Sequence, residues 1–472
     1  MADEKLLENL CQIKNMQIKK VVLEKKRDHH SVCTAFITAA NNENTNDLNN
    51  IDSLKSKIGE EETVFDYNEK VLMRGKIREI SYKAIFHRFD VIVKIVSCSD
   101  EMDKEKKKRV FQNIHKKYGQ VFEKLNSDKG SFRVLEQSFK NREEPLLLLQ
   151  DSETDFEYAV ELAETAGCHL FVKDIDSKPS VDVGKSRNNA GGDLKEEDCI
   201  YFEWESDGYF ERIKVRSRQY FEFGNLVNYE NRQFVVAEAK IELENGEIHG
   251  DYLFEREIKS DENLLASKRE KLPASKQLGE AKVISNKDPE NLGRIQVEFL
   301  DYEDSLPDNK MWMPYIPCLT EKDSGTVWIP DADETVRVLA ERGRAYSAGC
   351  VRKTQLSEKI KNTDNRSMLV RGKYLVLSED KIEAEAFAYK FTIEENMLTL
   401  KNDKNTVSVS ENVIVIKNEA NEVRLDDGKL LIKCEDSKLN LNNDTIQLLA
   451  GSKLEIKASD KVTAKTGSFE VS

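Results

Sequence analysis

Residues 397–412 read MLTLKNDKNTVSVSEN, residues 413–428 read VIVIKNEANEVRLDDG, and residues 429–444 read KLLIKCEDSKLNLNND. Aligned in rows of sixteen, each segment holds two short runs in which apolar and polar residues alternate, with polar turns between them. Alternation with a period of two indicates strands that bury one face. A fixed period with two strands in every row is typical of a stacked β array.

The same rows extend from Lys381 to Ser472, and each complete row offers only four inward apolar side chains. One chain cannot enclose a core with so few, so the sequence predicts three interwound chains that close a triangular prism. The prism-core positions are Leu398, Leu400, Val407, Val409, Ile414, Ile416, Val423, Leu425, Leu430, Ile432, Leu439, Leu441, Ile446, Leu448, Leu454 and Ile456.

The rows also shorten towards the C-terminus. In the first complete rows, six residues lie between the two apolar pairs of a row. In the later rows this number falls to five, Leu449–Lys453, and then to four, Lys465–Ser468. We interpret this as a prism that narrows to a tip. The last apolar pair, Phe469 and Val471, would be partly uncovered there, and exposed strand ends invite a capping partner.

The rest of the 472-residue chain is also mainly β in pattern. Five or six short strands within about 75 residues suit a small barrel such as the OB-fold. The predicted organisation is 1–257 with two barrel-like subdomains and helices near 104–125 and 155–166, a linker at 258–277, the OB-fold at 278–353, a connector at 354–373 and the repeat at 374–472.

Composition excludes several classes of protein. The net charge of −14 disfavours nucleic-acid binding, which needs a basic footprint. No apolar run approaches the roughly 18 residues of a membrane span. The charged start Met1–Lys5 precedes no apolar stretch, so we expect no secretory signal. The eight cysteines form no C-x-x-C pair and are interpreted as reduced cytosolic thiols.

Three segments upstream of the repeat carry motifs. Residues 150–156 (QDSETDF), followed by Glu161-Leu162-Ala163 and Gly167, resemble the QYxETDWEFxxRLAExxG signature of the VgrG and phage tail-hub families, with Phe156 in place of Trp. Residues 98–103 (CSDEMD) with Val110-Phe111-Gln112 are similar to the SxxMDxxKxxRxFQ stretch of those families. The segment 279–336 resembles their OB-fold, and the usual GDEV corner is altered to Asp333-Glu334-Thr335-Val336.

The resemblance implies a homotrimeric central hub and spike of a contractile injection machine. Such machines are the type VI secretion system, extracellular contractile particles, R-type bacteriocins and myophage tails. The implied partners are a hexameric tube protein, baseplate wedge proteins, a PAAR-like tip protein, an effector cargo and the target cell envelope. The protein would be assembled in the bacterial cytoplasm, exported or ejected with the particle, and would puncture the envelope mechanically.

No catalytic residue, cofactor or metal ligand is predicted. Related spikes carry enzymes between the OB-fold and the prism or after it, but only about 20 residues, Lys353–Lys373, fill the first position, and the given sequence ends at Ser472. His29-His30 is interpreted as a surface turn, with a metal site as the alternative. The pair Glu153/Asp155 suits helix capping better than acid–base catalysis. A murein hydrolase or effector, and a fibre adhesin, are the alternative functions.

Overall fold

The computed structural model describes residues 6–12, 16–40, 53–85, 88–165, 167–184, 192–258, 276–316, 329–341, 344–350, 365–442, 444–463, 465, 467–468 and 470. The chain divides into two compact units, Met1–Val351 and Arg352–Ser472, and each is described by itself. The mainly β fold predicted from the sequence is confirmed.

The first unit contains 21 strands and three α-helices whose bounds lie wholly within the described residues, besides helical residues at 53–55. The strands are β1 (Met16–Lys26), β2 (Val32–Ala40), β3 (Glu61–Phe65), β4 (Val71–Ile85), β5 (Arg88–Ser97), β6 (Lys107–Phe111), β7 (Ser131–Val134), β8 (Leu148–Glu153), β9 (Leu170–Val172), β10 (Ser180–Val183), β11 (Cys199–Ser206), β12 (Phe210–Ser217), β13 (Leu226–Tyr229), β14 (Arg232–Glu244), β15 (Glu247–Glu257), β16 (Lys276–Ser285), β17 (Arg294–Phe299), β18 (Glu303–Asp304), β19 (Met313–Pro314), β20 (Thr335–Glu341) and β21 (Arg344–Cys350). The helices are α1 (Tyr118–Leu125), α2 (Gln137–Asn141) and α3 (Asp155–Thr165).

A ten-stranded sheet forms the largest part of this unit, in the order β11-β12-β15-β14-β1-β2-β5-β4-β3, with β13 paired to β14. The alternation of its strands buries one face: Val21, Leu23, Cys33 and Ala35 are fully buried. A short 3-10 turn, Leu10–Gln12, packs Leu10 into the same core. Strands β1 and β2 pair as an antiparallel hairpin.

A second core joins the helices to two small sheets, β7-β10-β9 and β18-β6-β8. Here the prediction of a helix near 104–125 is wrong in its first half, because residues 107–111 form strand β6 and the helix begins at Tyr118. Arg109, Val110 and Phe111 are all buried, so β6 is covered on both faces and loses the alternation that marks a half-exposed strand. Helix α3 occupies the second predicted helical position.

A five-stranded sheet, β19-β17-β16-β20-β21, forms the segment predicted as the OB-fold. Its core consists of Leu278, Ala281, Val283, Ile295, Val297, Phe299, Met313, Val336, Val338 and Ala345, together with Val110 of β6 and Leu147, which precedes β8. The predicted strand at residues 325–329 lies almost wholly outside the described residues.

The second unit is one eleven-stranded antiparallel sheet in which every strand pairs with the next along the chain. Its strands are β22 (Arg366–Val370), β23 (Lys373–Leu377), β24 (Lys381–Ala386), β25 (Tyr389–Glu394), β26 (Met397–Lys401), β27 (Thr406–Ser410), β28 (Val413–Lys417), β29 (Asn421–Asp426), β30 (Lys429–Cys434), β31 (Ser437–Leu441) and β32 (Ile446–Leu449).

The predicted strand around Leu454 and Ile456 is absent from the structure: both residues lie outside regular structure and are more than half exposed. A short edge strand with no apolar cover gains too little from pairing to form in a single chain. The predicted tip residues Phe469 and Val471 lie outside the described residues. None of the helices in the described segments has the length and apolar character that a membrane span requires.

Candidate functional surfaces

The C-terminal sheet places its repeated apolar residues in two continuous cross-strand lines, which we call the first and second ladders. The first ladder is Leu375, Ala384, Phe391, Leu400, Val407, Ile416, Val423, Ile432, Leu439 and Leu448. The second ladder is Leu377, Ile382, Ile393, Leu398, Val409, Ile414, Leu425, Leu430, Leu441 and Ile446. Fourteen of the sixteen predicted prism-core residues therefore lie side by side, and Leu454 and Ile456 do not join them.

Both ladders are substantially exposed. Ile416 and Leu448 of the first ladder are 51% and 48% exposed, and Leu425 of the second ladder is 45% exposed. The line between the ladders on the opposite face is mostly polar, and from β26 onwards it runs through Thr399, Ser408, Val415, Arg424, Leu431, Asn440 and Gln447. An apolar surface this long is unusual on a monomer and marks a site of association.

A polar cluster in the first unit joins the two signature segments, and we call it the signature cluster: His30, Ser99, Asp103 and Thr154. The Thr154 hydroxyl donates to Asp103 Oδ1 at 2.5 Å. His30 Nε2 lies 2.8 Å from Asp103 Oδ2, and its Nδ1 lies 2.7 Å from Ser99 Oγ. The His30 ring also packs against Phe156 with 3.9 Å between ring centroids. The cluster therefore fixes the β1–β2 turn to α3.

The two histidines of the predicted surface turn, His29 and His30, therefore have different roles. His29 is exposed, and its Nδ1 lies 3.0 Å from the Arg27 carbonyl oxygen in the same turn. His30 is half-buried and bound to the signature cluster. Neighbouring turn residues bind elsewhere: Asp28 Oδ2 lies 2.6 Å from His169 Nδ1, and the Arg27 guanidinium pairs with Glu255. Sequence spacing gave no signal for these partners, because they are 69 to 228 residues away.

The second signature carboxylate, Asp155, is held by cations. Lys107 Nζ reaches its Oδ2 at 2.6 Å, and Arg109 Nη1 reaches its Oδ1 at 2.6 Å. Gln150 accepts from the same Arg109 nitrogen at 3.1 Å. Asp155 is 4% exposed, so this group ties β6, β8 and the first turn of α3 together beneath the surface.

These contacts give the candidate catalytic side chains structural roles. Ser99, His30 and Asp103 have the composition of a nucleophilic triad, but Ser99 is 1% exposed and its Oγ already contacts Ser97 Oγ at 2.8 Å. Asp155 is engaged by Lys107 and Arg109, and the Thr154 hydroxyl accepts from the Glu157 N–H as a helix cap. Within the described residues, no group of three or more His, Cys, Asp or Glu side chains is placed to hold a metal ion.

The pH dependence of stability reports on the signature cluster. Burial alone would raise the pKa of the Asp103 carboxyl, but hydrogen bonds from His30 and Thr154 outweigh it and lower the pKa. A depressed folded-state pKa stabilises the protein above the unfolded value of about 3.9, and this contribution disappears as pH falls through the folded value.

We therefore expect Asp103→Asn to lower the free energy of unfolding at pH 7 by roughly 1.5–3 kcal/mol, the range for hydrogen bonds to charged groups. The difference from the parent protein should shrink below about pH 4, as expected from the usual aspartate pKa. Urea unfolding at pH 7 and at acid pH measures it, with exposed Asp128→Asn as the control. An equal loss at both pH values would contradict this account.

The OB segment holds a second ordered carboxylate. Asp288 accepts from the N–H groups of Glu290 at 3.0 Å and Leu292 at 2.9 Å, and it binds the Arg294 guanidinium through both oxygens. These bonds lower the pKa of Asp288 well below its usual range, the Arg294 side chain being the largest cause. They fold the loop before β17, where Gly293 adopts a φ of +73° that favours glycine. The pairs Asp288-Pro289 and Gly293-Arg294 therefore belong to one turn.

Comparison with known proteins gives one family match. Residues 280–351 match the family model described as the type VI secretion system/phage-baseplate injector OB domain. No curated protein matches the chain.

Several solved structures are similar at low identity. An E. coli protein described as a type VI secretion component with structural similarity to the T4 tail proteins gp27 and gp5 is 11% identical, with a TM-score of 0.47 over 71% of this chain and 97% of its own. A Francisella PdpA-VgrG complex is 9% identical, with a TM-score of 0.49 over 93% and 76%. A prophage MuSo2 tail protein from Shewanella oneidensis is 8% identical, with a TM-score of 0.38 over 51% and 97%.

The family match falls on the segment that the sequence assigned to the OB-fold, between the signature segments and the repeat. The match at residues 280–351 therefore confirms the resemblance of this mainly β chain to the VgrG and phage tail hub-spike proteins.

Proposed function

We propose that this protein is the homotrimeric hub and spike of a contractile injection machine and acts mechanically, without catalysis of its own. The observation that carries the proposal is the pair of apolar ladders. They run the length of the C-terminal sheet and are exposed in one chain. Three copies that face one another through these ladders would bury them in one narrow core. The mostly polar line on the opposite face of each sheet would then face water.

The first unit is suited to transmit load. Strand β18 of the OB segment pairs in parallel with β6, and Tyr302 donates to Asp151 at 2.9 Å. The Gln112 amide donates to Asp304 at 3.1 Å, and Val110 lies in the OB core. Shared strands and a shared core make the OB segment and the signature region move as one body. Force applied to the hub would then pass into the OB segment through these contacts.

The proposed partners follow from this role. A hexameric tube protein and baseplate wedge proteins would contact the hub, while a PAAR-like tip protein would cap the end of the spike and an effector cargo would travel with it. The target would be a cell envelope, reached after cytoplasmic assembly and ejection. The buried state of Ser99 and the ion pairs of Asp155 support a structural role for the motifs rather than a murein hydrolase.

The oligomeric state tests the proposal. We expect light scattering of the purified chain to give about 163 kDa, three times the 54.2 kDa of one chain. The mass should stay constant on dilution, because a standard interface of about 800 Å² per partner supports stable association. A stable 54.2 kDa species at micromolar concentration would contradict the proposal.

A further inference from the structure

The strand pairing within the C-terminal sheet indicates how three chains would assemble. This inference rests on the proposed trimeric spike. In an interwound prism, the neighbours of a strand come from the other two chains. We infer that each chain here instead builds one whole face of the prism from its own consecutive strands, over the region β22–β32. The occupant of each apolar face is then a second copy of the same face.

The first support is the pairing itself. Each strand from β23 to β31 has both of its edges hydrogen-bonded to strands of its own chain. Thr399 of β26 lies opposite Ser408 of β27, and Ser408 lies opposite Val415 of β28. An interwound neighbour could enter only by displacing one of these pairings.

The second support is the length of the connections. Residues 395–396, 411–412, 427–428 and 435–436 are two-residue links between successive strands. A two-residue link joins adjacent antiparallel strands of one sheet. The link Asp427-Gly428 is the residue pair that hairpin turns prefer, and Gly428 has a φ of +69°. These turns favour return of the chain beside itself over passage to another face.

The third support is a recurrent asparagine turn. Asn402, Asn418 and Asn442 begin longer links, and each side-chain oxygen accepts a backbone N–H three residues on, at 2.7, 2.7 and 2.8 Å. In each link the asparagine N–H also donates to the carbonyl three residues on, at 2.9, 2.9 and 3.0 Å. An asparagine side chain that closes its own turn fixes the register of the hairpin. The longer links are therefore closed hairpins as well.

The area of the face fits a second copy. Eleven strands about 4.8 Å apart span roughly 50 Å, and a five-residue strand is about 17 Å long. The product, roughly 800 Å², equals the share that one partner contributes to a standard protein interface. A second copy also offers ladders of the same spacing, so each strand layer meets an identical layer.

Disulfide cross-linking distinguishes the two assemblies. We would place cysteines at an opposed pair on the polar side, Thr399→Cys with Ser408→Cys, and at a later pair, Asn440→Cys with Gln447→Cys. The full chain would carry Cys11→Ser and Cys434→Ser, because these two of its eight cysteines are exposed. The single variants Thr399→Cys and Gln447→Cys serve as controls.

We expect a trimer by light scattering whose oxidised double variants run as single chains on a denaturing, non-reducing gel, with the internal cross-link identified by peptide mass. Covalent dimers and trimers from the double variants alone would overturn the inference and leave the trimer standing. A trimer without any 399–408 cross-link would also overturn it. A monomer in solution would instead overturn the proposed function.

Discussion

A single charged substitution on the first ladder, Ile416→Asp, should convert the proposed trimer into monomers. Ile416 lies in mid-ladder, directly opposite Val407 on one side and Val423 on the other. In a three-chain core, three aspartates would meet in one layer at this level. Each buried carboxylate without a partner costs several kcal/mol, and three of them repel one another.

The neighbouring residue supplies a matched control. Val415 lies on the opposite face of the same strand, so Val415→Asp makes the same chemical change without entering the core between copies. Light scattering should give a 54.2 kDa species for Ile416→Asp and the trimer mass for Val415→Asp. If both variants stay trimeric, the ladders do not form the interface. If both dissociate, the opposite face is also buried in the assembly.

The repeat shows which features of the fold can be predicted from alternation alone. A period of two assigns the side chains of each strand to one face or the other, so the ladder residues could be chosen from the sequence. The period does not say which chain supplies the neighbouring strand, because a row of two strands fits a hairpin and an interwound layer equally well. That distinction lies in the links, in residue pairs such as Asp427-Gly428 and in the side chains of Asn402 and Asn418.

Strand β6 shows where periodicity misleads. Val110, Phe111, Tyr118, Val121 and Phe122 fall at helical spacing, yet only the last three belong to a helix. Phe111 of β6 packs into the helical core and Val110 into the OB core, so both faces of the strand are covered and its apolar residues do not alternate. A sequence pattern records which side chains are buried, and two-sided burial erases the signal that separates a strand from a helix.

The signature residues show a different limit. The ETD segment is recognisable as a motif, and the apolar helix that follows it predicts a capping role for Glu153 and Asp155. The structure gives the cap to Thr154 of the same segment. Its partners could not be predicted, because Lys107 and Arg109 lie 48 and 46 residues from Asp155, and His30 lies 73 residues from Asp103. Tertiary folding alone brings these charges together.

Asp155→Ala should be among the most destabilising single changes in the first unit. It removes the shared acceptor of Lys107 and Arg109, whose side chains are 19% and 10% exposed. Removing one partner of a buried ion pair costs roughly 3–5 kcal/mol, because the remaining charge stays desolvated and unpaired. The partial exposure of Lys107 places the expected loss towards the lower end, at about 3 kcal/mol.

The control for Asp155→Ala is Glu153→Ala, which removes the other carboxylate of the same segment. Glu153 is only half-buried, and its side chain accepts from the Asp151 N–H at 3.2 Å without a cation partner among the described ion pairs. Urea unfolding followed by tryptophan fluorescence should give a lower midpoint for Asp155→Ala and a change within about 1 kcal/mol for Glu153→Ala. The double change Asp155→Ala with Arg109→Met should recover part of the loss, because it removes one of the two cations that lose their partner. Equal losses for the two single variants would show that Asp155 acts only as a surface carboxylate, and the ion-pair account of the signature would fail.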